Sequence, residues 1–275
     1  MRWFSTLFVM SLALVFSSVA SAASVDGLNI YSASSGSGKA AVVLVHGWTC
    51  DSSSWDAQVP VLASRYRVIT LDLPRHGRSD APKDGKFSMD LFARAVEAVR
   101  AEAGTDRIVL VGHSMGAPVI RQYARLFPQH VAGLVAVDGP LDMRQFGDGF
   151  KPPPLTGPEG LKAREGMIRG MFTPDTPPAL QQKILAMMLK APEATATGAM
   201  LSILDPELRK ADVTPMPALA IWAGTNQQIP NPEETKKVLP HYSQTQVAGT
   251  GHFVMMEKPD EFNRLLTSFV DTLSP

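Results

Sequence analysis

The sequence predicts an α/β protein built on a doubly wound, mostly parallel β-sheet, and three observations lead there. From residue 41 onward, short runs rich in Val, Ile, Leu and Ala alternate with stretches of helical periodicity, as in parallel strands joined by crossover helices. The runs are nearly continuous in apolar residues instead of alternating with polar ones, so both faces of each strand should be covered. A chain of 275 residues, 45% of them hydrophobic, can bury one large core and still carry an insertion.

The elements follow in chain order. Arg2, an apolar run from Leu7 to Phe16 and the small residues Ala20-Ser21-Ala22 have the form of a secretory signal cut before Ala23. Residues 1–22 are therefore expected to be a removed leader, and the protein to be exported to the periplasm or beyond. The apolar run is well short of the ~20 residues of a spanning helix, so no membrane span is expected after cleavage. Leu28 to Tyr31 reads as an outer strand. Core strands are expected at Ala41 to Val45, Arg67 to Leu73, Ile108 to Gly112, Val131 to Val137 and Leu219 to Ala223, with Thr245 to Val247 at the far edge. Between them the spacing predicts helices over Trp55 to Arg65, Met89 to Ala103, Met115 to Phe127 and Pro259 to Leu273. The alternation breaks from Pro140 to Pro217, where Pro152-Pro153-Pro154, Pro177-Pro178 and Met167, Met171, Met187, Met188 and Met200 flank helical pieces such as Ala179 to Leu189. Residues 140–217 thus read as a helical lid inserted into a core of residues 23–139 and 218–275.

Composition narrows the function. Equal numbers of acidic and basic residues leave no electrostatic footprint for nucleic acid or an anionic membrane, so small molecules are the expected partners. The single cysteine, Cys50, permits no internal disulfide and reads as a structural thiol. The histidines lack H-E-x-x-H spacing and no thiolate pair exists, so neither a metal nor another cofactor is expected.

The chemistry centres on Gly112-His113-Ser114-Met115-Gly116, which follows an apolar strand and opens a helix. In that context G-x-S-x-G is a nucleophile elbow: the serine sits on a sharp turn that exposes its hydroxyl, and the glycines let strand and helix approach. Ser114 then lies at a helix N-terminus, where unpaired N–H groups favour negative charge developing on an attacked carbonyl oxygen. Pro118 fits the first turn of that helix, where its missing N–H deprives no acceptor.

Three more segments, in order along residues 41 to 270, resemble landmarks of the α/β-hydrolase family. His46-Gly47-Trp48 ends the first core strand, Asp72-Leu73-Pro74-Arg75-His76-Gly77-Arg78-Ser79 follows the next, and Gly249-Thr250-Gly251-His252-Phe253 precedes the C-terminal helix. The resemblance implies that Ser114 is the nucleophile, that His252 is the general base, and that the backbone N–H groups of Trp48 and Met115 form the oxyanion hole. The acid departs from the commoner pattern, because Gly224-Thr225-Asn226-Gln227-Gln228-Ile229-Pro230 contains no carboxylate. Asp138, after the preceding strand, is the alternative placement known in the family; Asp205, Asp212, Glu233 and Glu234 are the other candidates.

The resemblance implies a serine hydrolase that cleaves small, hydrophobic carboxylic esters through an acyl-enzyme, as carboxylesterases do. The Trp48 turn with the Ser114-Met115 elbow also resembles the cofactor-free perhydrolase and haloperoxidase-like esterases. Lactonase, aminopeptidase and carbon–carbon bond hydrolase activities use the same constellation, and a non-catalytic ligand-binding member is a further alternative. Dehalogenases and epoxide hydrolases of the family use a carboxylate nucleophile, which Ser114 is not.

Overall fold

Eight strands, β1 (Val19–Val25), β2 (Leu28–Ser35), β3 (Ala41–Val45), β4 (Arg67–Leu71), β5 (Ile108–His113), β6 (Val131–Val137), β7 (Ala218–Ala223) and β8 (Tyr242–Val247), form one sheet in a computed structural model of the chain. Its order is β1-β2-β4-β3-β5-β6-β7-β8. The first two pairings are antiparallel and the other five parallel. The structure describes residues 19–38, 40–146 and 151–273.

The helices are α1 (Val59–Ala63), α2 (Met89–Glu102), α3 (Gly116–Leu126), α4 (Gly157–Arg169), α5 (Pro178–Leu189), α6 (Glu193–Ile203), α7 (Pro232–Lys236), α8 (Val254–Glu257) and α9 (Pro259–Thr272). Every residue of β3, β5 and β7 is buried, which is why these strands are continuous apolar runs in the sequence. Of the helices anticipated, α2 and α9 match closely. The one expected over Trp55 to Arg65 instead splits into a 3₁₀ turn at Ser52–Trp55, capped by the Asp51 side chain, and the short α1. Pro60 cannot donate to residue 56, so no continuous α-helix can run through it.

The outer strands depart further from expectation. Only Tyr242 and Val247 are buried in β8, an edge strand with one exposed side, so its polar residues hid its first half from the pattern. Strand β4 stops at Leu71, before Asp72 turns into the loop. Strand β1 was not anticipated, because its small residues read as the end of a leader. The rest of the expected leader, residues 1–18, lies outside the described residues.

Between β6 and β7 the chain leaves the sheet to form α4, α5 and α6. Met188 and Met200 are buried there, and Met167, Met171 and Met187 pack against the core half-buried. Among the described residues no helix is long and apolar enough to cross a membrane.

Candidate active site

The C-terminal ends of the parallel strands, where loops leave a doubly wound sheet, are the usual place for a site. At the end of β5, Ser114 has a φ of +53°. This left-handed conformation is strained for a residue with a side chain, and it depends on crowded surroundings to persist. The crowding explains the two glycines. A Cβ on Gly112 would lie 2.3 Å from the Gly116 carbonyl oxygen, and one on Gly116 would lie 2.5 Å from that of Val45. The Ser114 N–H donates to the Val137 carbonyl (2.8 Å), tying the elbow to β6. Helix α3 begins at Gly116, with Met115 as its cap, because Ser114 is still part of the turn.

Asp138, directly after β6, also has a positive φ, +42°. Its N–H donates to the Ile221 carbonyl at 2.9 Å. One carboxylate oxygen, Oδ1, accepts from the Ala223 N–H and from Asn226 Nδ2, both at 2.9 Å. The other, Oδ2, lies 2.6 Å from His252 Nδ1. Burial alone would raise the carboxyl's pKa, but these hydrogen bonds and the neighbouring imidazole outweigh it and hold Asp138 below the usual carboxylate range. An ionised carboxylate only accepts, so Nδ1 of His252 carries the proton and Nε2 is left as the basic nitrogen.

His252 sits in the loop between β8 and α8 and is fixed from two sides. Its N–H donates to the Met171 carbonyl (3.0 Å), just beyond α4. Its carbonyl accepts from His113 Nε2 (2.9 Å), and the two imidazole centroids are 4.8 Å apart. Burial, followed by the proximity of His252, pushes the His113 pKa down to about 3, so His113 is a neutral strut.

Trp48 follows β3 and anchors its loop to the insertion, its indole Nε1 donating to the Ala196 carbonyl of α6 (2.8 Å). Among the described residues the Trp48 and Met115 backbone N–H groups have no protein acceptor. A further loop histidine, His46, donates from Nδ1 to the Gly47 carbonyl and accepts the Leu73 N–H at Nε2, each at 2.9 Å, which locks the turn. Asp72 braces the same region by accepting the Ser52 and Arg78 N–H groups. Cys50 is buried, and burial pushes its thiol pKa far up, so it supplies no thiolate.

A cavity of about 290 Å³ brings together Trp48, Ser114, Met115, Asp138 and His252. Larger depressions, near Arg67 and near Lys86, contain none of these residues. The other candidate acids lie elsewhere. Asp205 caps a 3₁₀ turn, Asp212 pairs with Arg125 (2.9 Å), and Glu233 and Glu234 pair with Lys236 and Lys237 (2.8 and 2.7 Å). Gln227 is exposed on the loop after β7.

Sequence reasoning missed Asn226. It sits in the segment that lacks a carboxylate, and instead of reaching the imidazole it binds the carboxylate on the neighbouring strand. It also missed that Met171 and Ala196, both in the insertion, hold His252 and Trp48 through their carbonyls. Backbone acceptors leave no mark in side-chain patterns.

Residues 42–265 match the Alpha/beta hydrolase family. The dihydrolipoyllysine-residue acetyltransferase component of the acetoin cleaving system of Pseudomonas putida is 30% identical over 86% of this chain, which spans 64% of that relative's length. The 2-hydroxy-6-oxononadienedioate/2-hydroxy-6-oxononatrienedioate hydrolase of Paraburkholderia phymatum is 27% identical over 88% of this chain and 91% of its own. Among solved structures, a thermophilic esterase from Thermogutta terrifontis superposes with a TM-score of 0.75 at 24% identity, over 94% of this chain and 100% of the esterase, a likeness of fold.

Proposed function

The chain belongs to the alpha/beta hydrolase family, and from that premise we propose that it is a serine hydrolase of small, hydrophobic carboxylic esters. One observation carries the reading: a single cavity holds Ser114, a histidine whose Nδ1 is engaged by Asp138, and the backbone N–H groups of Trp48 and Met115, which have no protein acceptor among the described residues. In this mechanism Ser114 Oγ attacks the ester carbonyl as His252 Nε2 takes its proton. The carbonyl oxygen becomes an oxyanion facing the Trp48 and Met115 N–H groups, where each donor contributes about 3 kcal/mol of transition-state stabilisation. Collapse releases the alcohol, which takes the proton from His252. A water then repeats the sequence on the acyl-enzyme and releases the acid. Residues 140–217 act as the lid over the cavity.

Fluorophosphonates phosphonylate an activated serine, releasing fluoride, so labelling of the native protein together with turnover of p-nitrophenyl acetate and butyrate is the expected result. A protein that binds these esters but neither labels nor hydrolyses them would be a ligand-binding member of the fold, and the proposal would fall. The Paraburkholderia relative favours a second reading, carbon–carbon bond hydrolysis, which would show as cleavage of 2-hydroxy-6-oxononadienedioate with no turnover of simple esters.

We further propose that residues 1–22 direct export and are removed. Cleavage before Ala23 takes away the exposed Ala20 and Ala22 but keeps the buried Ala23 and Val25, paired with Ile30 and Leu28. The mature strand keeps its core contacts. Sequencing the exported protein should give Ala23 as its N-terminus; a protein retained in the cytoplasm with Met1 intact would refute this.

A further inference from the structure

Resting on the ester-hydrolase reading of this cavity, we infer that it accepts uncharged, apolar acyl groups and discriminates against acyl chains that carry a carboxylate.

The lining beyond the reacting groups is dominated by Met143, Phe146, Met171, Met200, Ile203 and Trp222. No Lys or Arg side chain lines it among the described residues. The cation nearest in sequence to this lining, Arg144, stands between Met143 and Gln145 but is committed elsewhere. Its guanidinium holds Asp142 in two hydrogen bonds of 2.8 Å and donates to the Glu234 carbonyl at 2.9 Å. Among the described residues the one ionised carboxylate in the lining, Asp138, is an anion and repels a second one.

The neutral polar groups are largely occupied as well. Gln145 donates from Nε2 to Asp142 and Thr235 and accepts the Asn231 N–H at Oε1. Asn226 donates to Asp138 and accepts the Gln228 N–H (2.8 Å). The Gln228 side chain is exposed at the rim. An acyl carboxylate entering the cavity would therefore lose its hydration and meet no cation, the situation in which a buried charge is most unfavourable. An alkyl chain meets thioether and aromatic surface that yields to its shape.

The test uses three esters on the native enzyme at pH 7.5. They are p-nitrophenyl hexanoate, the mono-p-nitrophenyl ester of adipic acid, and that half-ester capped as its methyl ester. The first two have six acyl carbons and differ by the terminal carboxylate; the third is longer but neutral. The expected kcat/KM of the hexanoate exceeds that of the half-ester at least ~10²-fold, and the methyl cap restores most of the loss. Equal rates for hexanoate and half-ester would overturn the charge selectivity while leaving ester hydrolysis in place. A capped ester as poor as the half-ester would also overturn it, since length would then be the cause. If none of the three is turned over and fluorophosphonate fails to label, the hydrolase reading itself falls; labelling without turnover would refute only the acyl class.

Discussion

Replacing Ser114 with Ala is expected to lower kcat for p-nitrophenyl butyrate by about 10⁶-fold, the scale seen when the serine of a triad is removed, and to abolish fluorophosphonate labelling. The substitution deletes a hydroxyl and little else. The residue keeps a Cβ, so the backbone strain at φ +53° is unchanged, and the N–H bond to Val137 involves no side-chain atom. Thermal unfolding should therefore match the native protein closely, since a change confined to a half-buried side chain without a packing role stays within about 1 kcal/mol. The activity left over, about 10³–10⁴-fold above the reaction in water, would come from substrate binding and the oxyanion donors. Undiminished labelling of the Ala variant would place the nucleophile elsewhere and sink the mechanism.

Ser114 could be located from the sequence because the elbow is a local object. Its strained residue and its two close-approach glycines fall within five consecutive positions at the end of an apolar strand, and the steric demand is written directly into residue type. The central strands were legible for a related reason: a strand covered on both faces, such as Ala41–Val45, has nothing to solvate and becomes a short apolar block. The edges were less so. In β8 the residues between Tyr242 and Val247 are polar and half-buried or exposed, and the small residues of β1 carry one signal that fits two roles. Asp138 and His252 are 114 residues apart. No spacing rule encodes that contact, so the sequence could offer several acids while the fold brings one to the imidazole. The carbonyls of Met171 and Ala196 were beyond reach, because any residue type supplies the same acceptor.

The second large effect is expected at Asp138. Asp138→Asn should lower kcat by at least ~10³-fold, as loss of a triad carboxylate does, whereas Gln227→Ala should change it by only a few fold. The size of the first effect follows from the two sides of the carboxylate. Oδ1 faces two donors, the Ala223 N–H and Asn226 Nδ2. The substituted side chain has one oxygen and one amide nitrogen, and those donors draw the oxygen to their side. The amide N–H₂ is then left facing His252 Nδ1, which must become an acceptor. The imidazole proton moves to Nε2, the nitrogen that has to receive the Ser114 proton, so the variant stores its histidine in the wrong tautomer as well as losing the negative charge that stabilises the imidazolium. Asn226→Ala tests the same geometry from behind. With one of the two donors gone, the introduced amide oxygen is held less firmly, so the double variant should be less impaired, relative to Asn226→Ala alone, than Asp138→Asn is relative to the native enzyme. Strict additivity of the two losses would refute the tautomer argument. A larger loss from Gln227→Ala than from Asp138→Asn would move the orienting role to the loop after β7 and overturn the assignment of Asp138.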